Sequence, residues 1–233
     1  MILNTEGVFS GYGKVEVVKD FNIQINEGEI VSIIGRNGVG KSTFIKTLMG
    51  LLKTNKGSIT FKNQNITNVK AFDRARGGIG YVPQGHGVFP TLTVEENLLM
   101  GKLINLQKEN LKLELVYNYF PKLKERRKQK AGTLSGGEQA ALAIGRALVG
   151  NPDLLILDEP SEGIQPSIVN QISKIVNQIN HETGLTVLFV EQNMALIQQL
   201  SQRCYAMDKG MIKGEINQEA LQDYDVLKSY LTV

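Results

Sequence analysis

The sequence predicts an α/β fold built on a parallel sheet. Short apolar runs rich in β-branched residues alternate with longer stretches of helical spacing along most of the chain. Strands that alternate with helices in this way form a parallel sheet covered by helices. The 233 residues, 42% hydrophobic and 21% charged, suffice for one large domain with a buried core. Intrinsic disorder as the main state is excluded, because the apolar content is high and the net charge is only +3.

The predicted elements follow one another in a regular order. A hairpin is indicated where Ser58–Lys62 and Asn65–Ile66 flank a turn at Asn63-Gln64. Near the end, Arg203–Met207 predicts a strand in which Cys204 is a small buried residue. The predicted core strands are Ile30–Ile34, Ile79–Val82, Leu154–Leu157 and Thr186–Val190, and the predicted helices are Lys41–Leu51, Ser135–Val149, Ser167–His181 and Met194–Leu200.

The stretch Thr93–Gln129 differs from the rest, because it has many charges and no convincing strand. Apolar side chains recur in it at helical spacing, at Leu98, Leu99, Leu103, Leu111, Leu115 and Tyr119. We interpret it as a helical insertion in the α/β core. Its basic run Lys122–Lys130, with six Lys or Arg residues, is expected to be a solvated helix face. The last helices, near Gln218–Leu231, either cover the core or form an interface.

Charge and composition restrict the compartment and the partners. A net charge of +3 over this length is a weak field, which argues against nucleic acid as a partner. A single cysteine can form no internal disulfide and favours a reducing compartment. There is no run of the about 20 apolar residues that a spanning helix needs, and Met1–Gly7 lacks the pattern of a secretory signal. We therefore expect a cytoplasmic protein that acts at a membrane only through a partner.

The segment that follows the first core strand fits the phosphate-loop pattern, in which two glycines spaced by four precede Lys-Ser. Glycines let the backbone curl so that successive N–H groups point at phosphate oxygens, and the following helix directs its positive dipole end at the same anion. Lys41 is expected to contact the β- and γ-phosphates, and the Ser42 hydroxyl to ligate Mg²⁺. The predicted nucleotide-binding residues here are Gly35, Arg36, Asn37, Gly38, Val39, Gly40, Lys41, Ser42 and Thr43.

Paired carboxylates follow a second core strand. Leu154–Leu157 buries the strand and presents Asp158 and Glu159 at its carboxyl end, where α/β sheets bind ligands. Asp158 is predicted to hold Mg²⁺, and Glu159 to polarise a water for attack on the γ-phosphate. The alternative, a strand that runs into an acidic turn, is disfavoured by the phosphate loop elsewhere in the chain.

A third motif points to a family. Leu134–Gln139 (LSGGEQ) resembles the signature sequence of ATP-binding cassette (ABC) ATPases. Tyr12 matches the aromatic residue that stacks on adenine in this family, and Gln84 the glutamine that senses the γ-phosphate and Mg²⁺ and faces the membrane partner. The resemblance implies an ATPase that binds ATP and Mg²⁺. It also implies one cassette over residues 1–233: a P-loop NTPase core of the ABC type, an antiparallel β subdomain, and a helical subdomain inserted at about 85–150.

The signature also implies a second subunit. Its first residues open a helix whose N-terminus can bind a phosphate, and in the family it does so across a dimer interface. Lys41 of one subunit and Ser135 of the other then enclose one ATP, so a monomer is expected to be nearly inactive. The residues expected to act in trans are Ser135, Gly136, Gly137 and Glu138.

Two departures from the family pattern concern the catalytic loops. The stretch Ser161–Pro166 lacks the aspartate that usually follows the acidic strand, and Gln192 takes the place of the usual histidine. Glutamine can hydrogen-bond a γ-phosphate but cannot share a proton. We therefore expect Gln192 to position the phosphate in catalysis, while Glu159 carries the main catalytic weight.

The subfamily is indicated by short segments. Glu191–Asn193 is similar to the ATPase subunits of branched-chain amino-acid importers and their relatives. Gly35–Gly40, Phe89–Gly101 and Asp158–Ile168 are similar to the urea-importer ATP-binding subunit, although Gly85–Gly87 departs from both. The resemblance thus implies a urea importer, with branched-chain amino acids or short amides as the alternative.

An importer of this kind consists of several subunits. The resemblance implies two membrane permease subunits, a second ABC ATPase that is identical or similar, and an extracytoplasmic solute-binding protein. This subunit would be peripheral at the cytoplasmic face of the membrane and dock through Gln84–Val94 and nearby helices.

Three rival functions are weaker. A soluble ABC ATPase of DNA repair or translation usually carries a long coiled coil or two cassettes, whereas this insertion is short and there is one phosphate loop. A phosphate-loop kinase would not need Leu134–Gln139. An exporter subunit is compatible with an isolated cassette, but Glu191–Asn193 argues against it.

Overall fold

The computed structural model describes residues 1–104 and 113–231, so the predicted core position Leu111 lies outside the described residues. The strands are β1 Leu3–Tyr12, β2 Val15–Ile25, β3 Ile30–Ile34, β4 Thr54–Phe61, β5 Gln64–Asn65, β6 Ile79–Val82, β7 Leu154–Asp158, β8 Thr186–Glu191, β9 Arg203–Asp208 and β10 Met211–Ile216. The helices are α1 Lys41–Leu48, α2 Ala71–Arg76, α3 Val94–Met100, α4 Leu113–Tyr119, α5 Pro121–Glu125, α6 Gly136–Val149, α7 Pro166–Thr183, α8 Met194–Leu200, α9 Gln218–Leu221 and α10 Tyr224–Leu231. Two 3₁₀ turns lie at Gly101–Ile104 and Ala131–Thr133.

The larger sheet has the strand order β10-β9-β3-β8-β7-β6. Its five strands from β9 to β6 are parallel, and β10 returns antiparallel to β9 as a hairpin. Every residue of β3, β7 and β8 is buried, as expected for strands covered on both faces. The predicted α/β class with a parallel sheet is therefore confirmed. Strands β7 and β8 run one residue beyond their apolar runs, to Asp158 and Glu191, because pairing continues there.

A smaller antiparallel sheet, β2-β1-β4-β5, lies beside the larger one. The two faces of β3 enter two hydrophobic cores, because alternate residues of a strand point to opposite sides. Val31 and Ile33 pack in a core with Phe44 of α1 and the antiparallel sheet. Ile30 and Ile34 pack in the other core, with helices α6, α7 and α8. Helix α1, which follows the glycine loop, thus belongs to the core that the two sheets share.

The hairpin between β4 and β5 corrects the predicted turn. Phe61 pairs with Gln64, so the turn residues are Lys62 and Asn63 and not Asn63-Gln64. Lys62 and Asn63 have φ of 50° and 60°, the positive values that a two-residue type I′ turn requires at both central positions. The prediction was wrong by one residue, because this turn places Lys62 in the left-handed region and leaves Gln64 to the strand.

Between β6 and β7 the described residues form helices and turns, with an isolated bridge between Thr93 and Lys130. The predicted helical character of this stretch agrees with the structure, while the subdomain boundary at about 85–150 stays a prediction. The basic run begins on α5 but leaves that helix after Glu125, and its Lys and Arg side chains are exposed. Within the described ranges, none of the helices is both long and apolar enough to cross a membrane.

Candidate nucleotide-binding site

The glycine loop of residues 35–40 joins β3 to α1, and its backbone conformation requires glycine at positions 38 and 40. Gly38 and Gly40 have φ of 80° and 113°, which glycine adopts at little cost. A Cβ on Gly40 would lie 2.9 Å from Met207 Cε and 3.2 Å from Val17 Cγ1. The loop is therefore closed on one side by β9 and on the other by β2, and a side chain at Gly40 would open it.

Lys41 is the first residue of α1, and its side chain reaches back to this loop with 3% of its surface exposed. Its Nζ donates hydrogen bonds to the carbonyl oxygens of Gly35 at 2.8 Å and Arg36 at 3.1 Å. The same nitrogen lies 3.4 Å from Glu159 Oε1. The ammonium is thus held inside the curl of the loop, where the sequence predicts the phosphates, and it faces one of the two predicted carboxylates.

Asp158 joins the phosphate loop to the end of β7. It accepts hydrogen bonds from Ser42 Oγ at 2.9 Å and from the Tyr81 hydroxyl at 3.3 Å. Burial raises the pKa of Asp158, while these two hydrogen bonds oppose the rise. Burial and the neighbouring Asp158 carboxylate also raise the pKa of Tyr81 well above its usual range, so its hydroxyl keeps the proton that it donates. The structure therefore brings two of the three predicted Mg²⁺ ligands, Ser42 and Asp158, into direct contact.

Glu159 follows Asp158 with a left-handed backbone, φ 51°. Such a conformation is strained for a residue with a side chain, at about 1 kcal/mol, and strain of this kind is common at functional sites. Its Oε2 accepts a hydrogen bond from Gln84 Nε2 at 3.2 Å, so Gln84 also reaches the site. Burial raises the pKa of Glu159, and the Lys41 ammonium opposes that rise. A carboxylate with a raised pKa is a better proton acceptor near neutral pH.

A cleft of about 130 Å³ lies beside Lys41 and Glu159. The residues that line it are Val17, Gly38, Gly40, Lys41, Ser42, Thr43 and Glu159. Tyr12 ends β1, is 49% exposed, and pairs with Val15 at the start of β2, the strand that contributes Val17 to the cleft. An exposed aromatic side chain beside a phosphate loop is compatible with its predicted stacking on a base.

The remaining predicted residues do not reach this cleft. Gln192 is exposed, and its side chain forms no hydrogen bond within the described part of the chain. Ser135 caps α6 through a capping box, in which its Oγ accepts from Glu138 N at 3.4 Å and Glu138 Oε2 accepts from Ser135 N at 3.0 Å. Ser135 and Gly136 are exposed, and Glu138 forms an ion pair with Arg126 at 3.1 Å. Within one chain the signature residues therefore do not join the phosphate loop.

Two residues at the site escaped the sequence prediction. Tyr81, on β6, bonds to Asp158, and Glu191 ends β8 with a carboxylate that is 2% exposed. Glu191 carries the same signal as Asp158, an acidic residue at the end of a continuous apolar run, here Val187–Val190, and that signal could have revealed it. Tyr81 offers no such signal, because its role follows from the pairing of β6 with β7.

The donor set fits Mg²⁺ bound together with a nucleotide. Ser42, Asp158 and Gln84 offer hydroxyl, carboxylate and amide oxygens, the hard ligands that Mg²⁺ prefers. The described ranges contain no group of three or more His, Cys, Asp or Glu residues that could hold a metal ion. Few protein ligands are expected where phosphate oxygens supply the rest of the coordination shell, which is how Mg²⁺ is usually held in nucleotide sites.

Comparison with known proteins decides the family. The family model described as "ABC transporter" matches residues 18–162, a range that includes the phosphate loop, the signature and both carboxylates. The chain belongs to the ABC transporter family. It is therefore an ATP-binding cassette, and both the predicted ATPase activity and the predicted fold are confirmed.

Two curated relatives and one solved structure show how far the similarity of this ABC cassette extends. The high-affinity branched-chain amino acid transport ATP-binding protein BraG of Pseudomonas aeruginosa is 43% identical over 212 residues, 91% of each chain. The probable branched-chain amino acid transport ATP-binding protein LivF of Archaeoglobus fulgidus is 34% identical over 91% of this chain and 90% of its own. The ADP conformation of an ATP-binding cassette of an ABC transporter is 30% identical, with a TM-score of 0.84 over 98% of both chains.

Proposed function

We propose that this ABC cassette powers the import of branched-chain amino acids. The observation that carries the proposal is the 43% identity to BraG over 91% of both chains, which is supported by LivF and by the segment of residues 191–193. Urea is the second candidate, because three short segments resemble the urea-importer subunit. Those segments cover a small part of the chain, whereas the similarity to BraG spans nearly all of it.

We assign the hydrolytic roles from the contacts in the cleft. The loop N–H groups and Lys41 bind the phosphates, for which Lys41 exchanges its bonds to the loop carbonyls. Glu159, held by Gln84, accepts a proton from the attacking water. The exception is Gln192, whose side chain is exposed outside the cleft; we assign it a hydrogen bond to the γ-phosphate from its place in the family pattern. Ser42, Asp158 and Gln84 would hold Mg²⁺, which neutralises charge on the phosphates when it is bound.

A second cassette completes the site in this proposal. Ser135 and Gly136, at the N-terminus of α6, are exposed residues, and the N–H groups of a helix N-terminus favour an anion. These groups lie outside the cleft of their own chain. They therefore serve the ATP of a partner cassette, either a second copy or a similar subunit.

The permease docks on an apolar groove in this proposal. The groove, of about 360 Å³, lies between α2, α3 and α6 and includes the half-exposed side chains of Phe72, Phe89, Met100 and Leu103. Arg146 borders it, donates to Gly87 O at 2.8 Å and lies 5.0 Å from the Phe89 ring. Half-exposed apolar side chains that share one groove are typical of an interaction site, and we assign this one to the membrane permease. The groove includes Phe89 of the predicted docking segment, residues 84–94. Docking there would make the cassette a peripheral subunit at the cytoplasmic face of the membrane.

The test is transport by a reconstituted complex. The cassette is co-expressed with its candidate permeases and second ATPase, placed in proteoliposomes with the solute-binding protein, and supplied with labelled leucine or urea. ATP-dependent uptake of leucine is expected, and the matched Lys41→Ala complex should transport neither solute. Uptake of urea without leucine would overturn the assigned solute, and lack of ATP-dependent uptake of either would overturn the proposed importer.

A further inference from the structure

Glu191 is a buried carboxylate that has no assigned part in ATP binding or hydrolysis. It ends β8 with 2% of its surface exposed. Its Oε2 accepts hydrogen bonds from Ser161 Oγ at 2.7 Å and Ser161 N at 3.3 Å. Its Oε1 accepts hydrogen bonds from the backbone N–H groups of Gln192 at 2.7 Å and Asn193 at 3.0 Å. One side chain thus receives four donors.

These donors belong to two different loops. Ser161 lies two residues after Glu159, in the loop that leads from β7 to α7, whereas Gln192 and Asn193 lead from β8 to α8. Both loops carry residues to which we assign catalytic roles. The Glu191 side chain is therefore a cross-link between the segment that follows the general base and the segment that carries the γ-phosphate ligand.

The loop after Glu159 contacts both the backbone of Glu159 and the start of α6. Glu162 N donates to Glu159 O at 3.1 Å, so the turn that holds Ser161 also holds the backbone of the base. On its other side, a Cβ added to Gly136 would lie 3.4 Å from Gly163 O, so the loop also lies against the start of α6. A displacement of Ser161 would therefore shift Glu159 and the signature end of α6 relative to each other.

The charge of Glu191 matters as well as its shape. Within the described ranges Glu191 forms no ion pair with lysine or arginine. A buried carboxylate without a cation is costly unless hydrogen bonds compensate it, and the four donors do so. A glutamine of the same shape would turn an NH₂ donor toward one of the two donor pairs. That substitution should break the bond to one loop while conserving volume.

We propose that Glu191 is a positioning residue for ATP hydrolysis, which fixes the loop after Glu159 to the loop that carries Gln192. This inference rests on the proposed function, since it takes the roles of those two residues from it. A residue of purely structural importance would lower the thermal stability and leave the turnover per folded molecule unchanged. A positioning residue lowers kcat and leaves nucleotide affinity nearly constant, because the four hydrogen bonds of Glu191 go to Ser161, Gln192 and Asn193 and not to Lys41 or the glycine loop.

The experiment compares the ATPase kinetics of the assembled transporter after substitution of either of two carboxylate residues. Glu191→Gln is expected to lower kcat for ATP by about 10- to 100-fold, the loss that a misplacement of about 1 Å produces, with KM and the Kd of a fluorescent ATP analogue within about threefold. Glu29→Gln is the matched control. Glu29 bonds to Arg203 at 2.6 Å and to Asn26 N at 2.9 Å before the start of β3, at the opposite end of the sheet. It should lower the melting temperature without lowering kcat.

Ser161→Ala serves as a second variant, which removes one donor and keeps the backbone. It is expected to lower kcat several-fold, and the Glu191→Gln/Ser161→Ala double variant should be no slower than Glu191→Gln alone, since both changes break the same link. Unchanged kcat in Ser161→Ala, or equal loss of kcat and affinity in Glu191→Gln, would overturn the inference. Glu159→Gln is measured alongside. If it retains turnover, the assigned base is wrong; if it is inactive and Glu191→Gln is not, only the positioning role fails.

Discussion

The Glu159→Gln substitution should separate nucleotide binding from turnover. Glu159 Oε1 lies 3.4 Å from Lys41 Nζ, and its Oε2 accepts a hydrogen bond from Gln84 at 3.2 Å. Glutamine keeps the volume and an oxygen for Gln84, but it removes the negative charge and the ability to take a proton. The substitution therefore tests the electrostatic role and the base role of Glu159 without creating a cavity.

The geometry sets the size of both effects. Two unit charges 3.4 Å apart attract by about 5 kcal/mol at an effective dielectric constant of about 20. ATP must draw Lys41 away from Glu159, so this attraction opposes binding. Most of it is offset, because Lys41 also bonds to Gly35 O and Arg36 O and water screens the partly exposed carboxylate. We expect ATP to bind up to about tenfold more tightly, about 1.4 kcal/mol, and turnover to fall by about 10²- to 10⁴-fold, the usual contribution of a general base.

Two assays on the same preparation check this prediction. Titration of a fluorescent ATP analogue gives Kd, and phosphate release by the assembled transporter gives kcat. Lys41→Ala is the control, and it should weaken binding and turnover together because it removes the phosphate ligand. Turnover of Glu159→Gln within about threefold of the unchanged protein would refute the base role. Weaker ATP binding would refute the argument that Glu159 competes with the phosphates for Lys41.

Three further predictions concern packing, the cysteine and the groove. In Gly137→Ala the new Cβ would lie 2.4 Å from Ile168 Cγ2, so α6 must move away from α7. Urea titration should show that the free energy of unfolding falls by about 1–3 kcal/mol. Burial raises the pKa of the Cys204 thiol to about 12, so the thiol stays protonated at pH 8. A thiol reagent should therefore label Cys204 only after the chain unfolds. Rapid labelling of the folded chain would contradict this prediction. The Asn97 side chain is fully buried and bonds to both Phe89 N and Phe89 O. Asn97→Ala should cost about 2 kcal/mol and lower solute uptake more than basal ATP hydrolysis; equal losses would argue against docking at this groove.

The elements that the sequence predicts well are those with strong local patterns. The strand β3 is a continuous apolar run followed by glycines, and its predicted bounds agree with the structure. In contrast, β1 and β2 could not be predicted from periodicity. Their pairing contains register shifts, one of them between Thr5 and Val8, which break the alternation of apolar and polar side chains. Apart from the hairpin of β4 and β5, the antiparallel sheet was expected only from the family resemblance.

In the candidate site, too, the residues within contiguous motifs could be predicted, whereas the contacts between motifs could not. Lys41 and Ser42 sit in one contiguous motif, and Asp158 and Glu159 in another, so each motif carries its own signal. Where the motifs meet depends on the strand order, which no local pattern contains. The contacts of Tyr81 with Asp158 arise because β6 is the neighbour of β7 in the sheet.

The strand order also explains why Glu191 occupies its position. Strand β8 lies between β3, which leads into the glycine loop, and β7, which leads into Glu159. The last residue of the middle strand is therefore adjacent to both neighbouring strand ends, as the pairing of Glu191 with Ile34 and of Val190 with Asp158 shows. Its negative charge adds to the burial that raises the pKa of Glu159, and its hydrogen bonds hold the loops on either side. An apolar residue there would leave those loop N–H groups without acceptors, so the requirement for a carboxylate follows from the topology of the sheet.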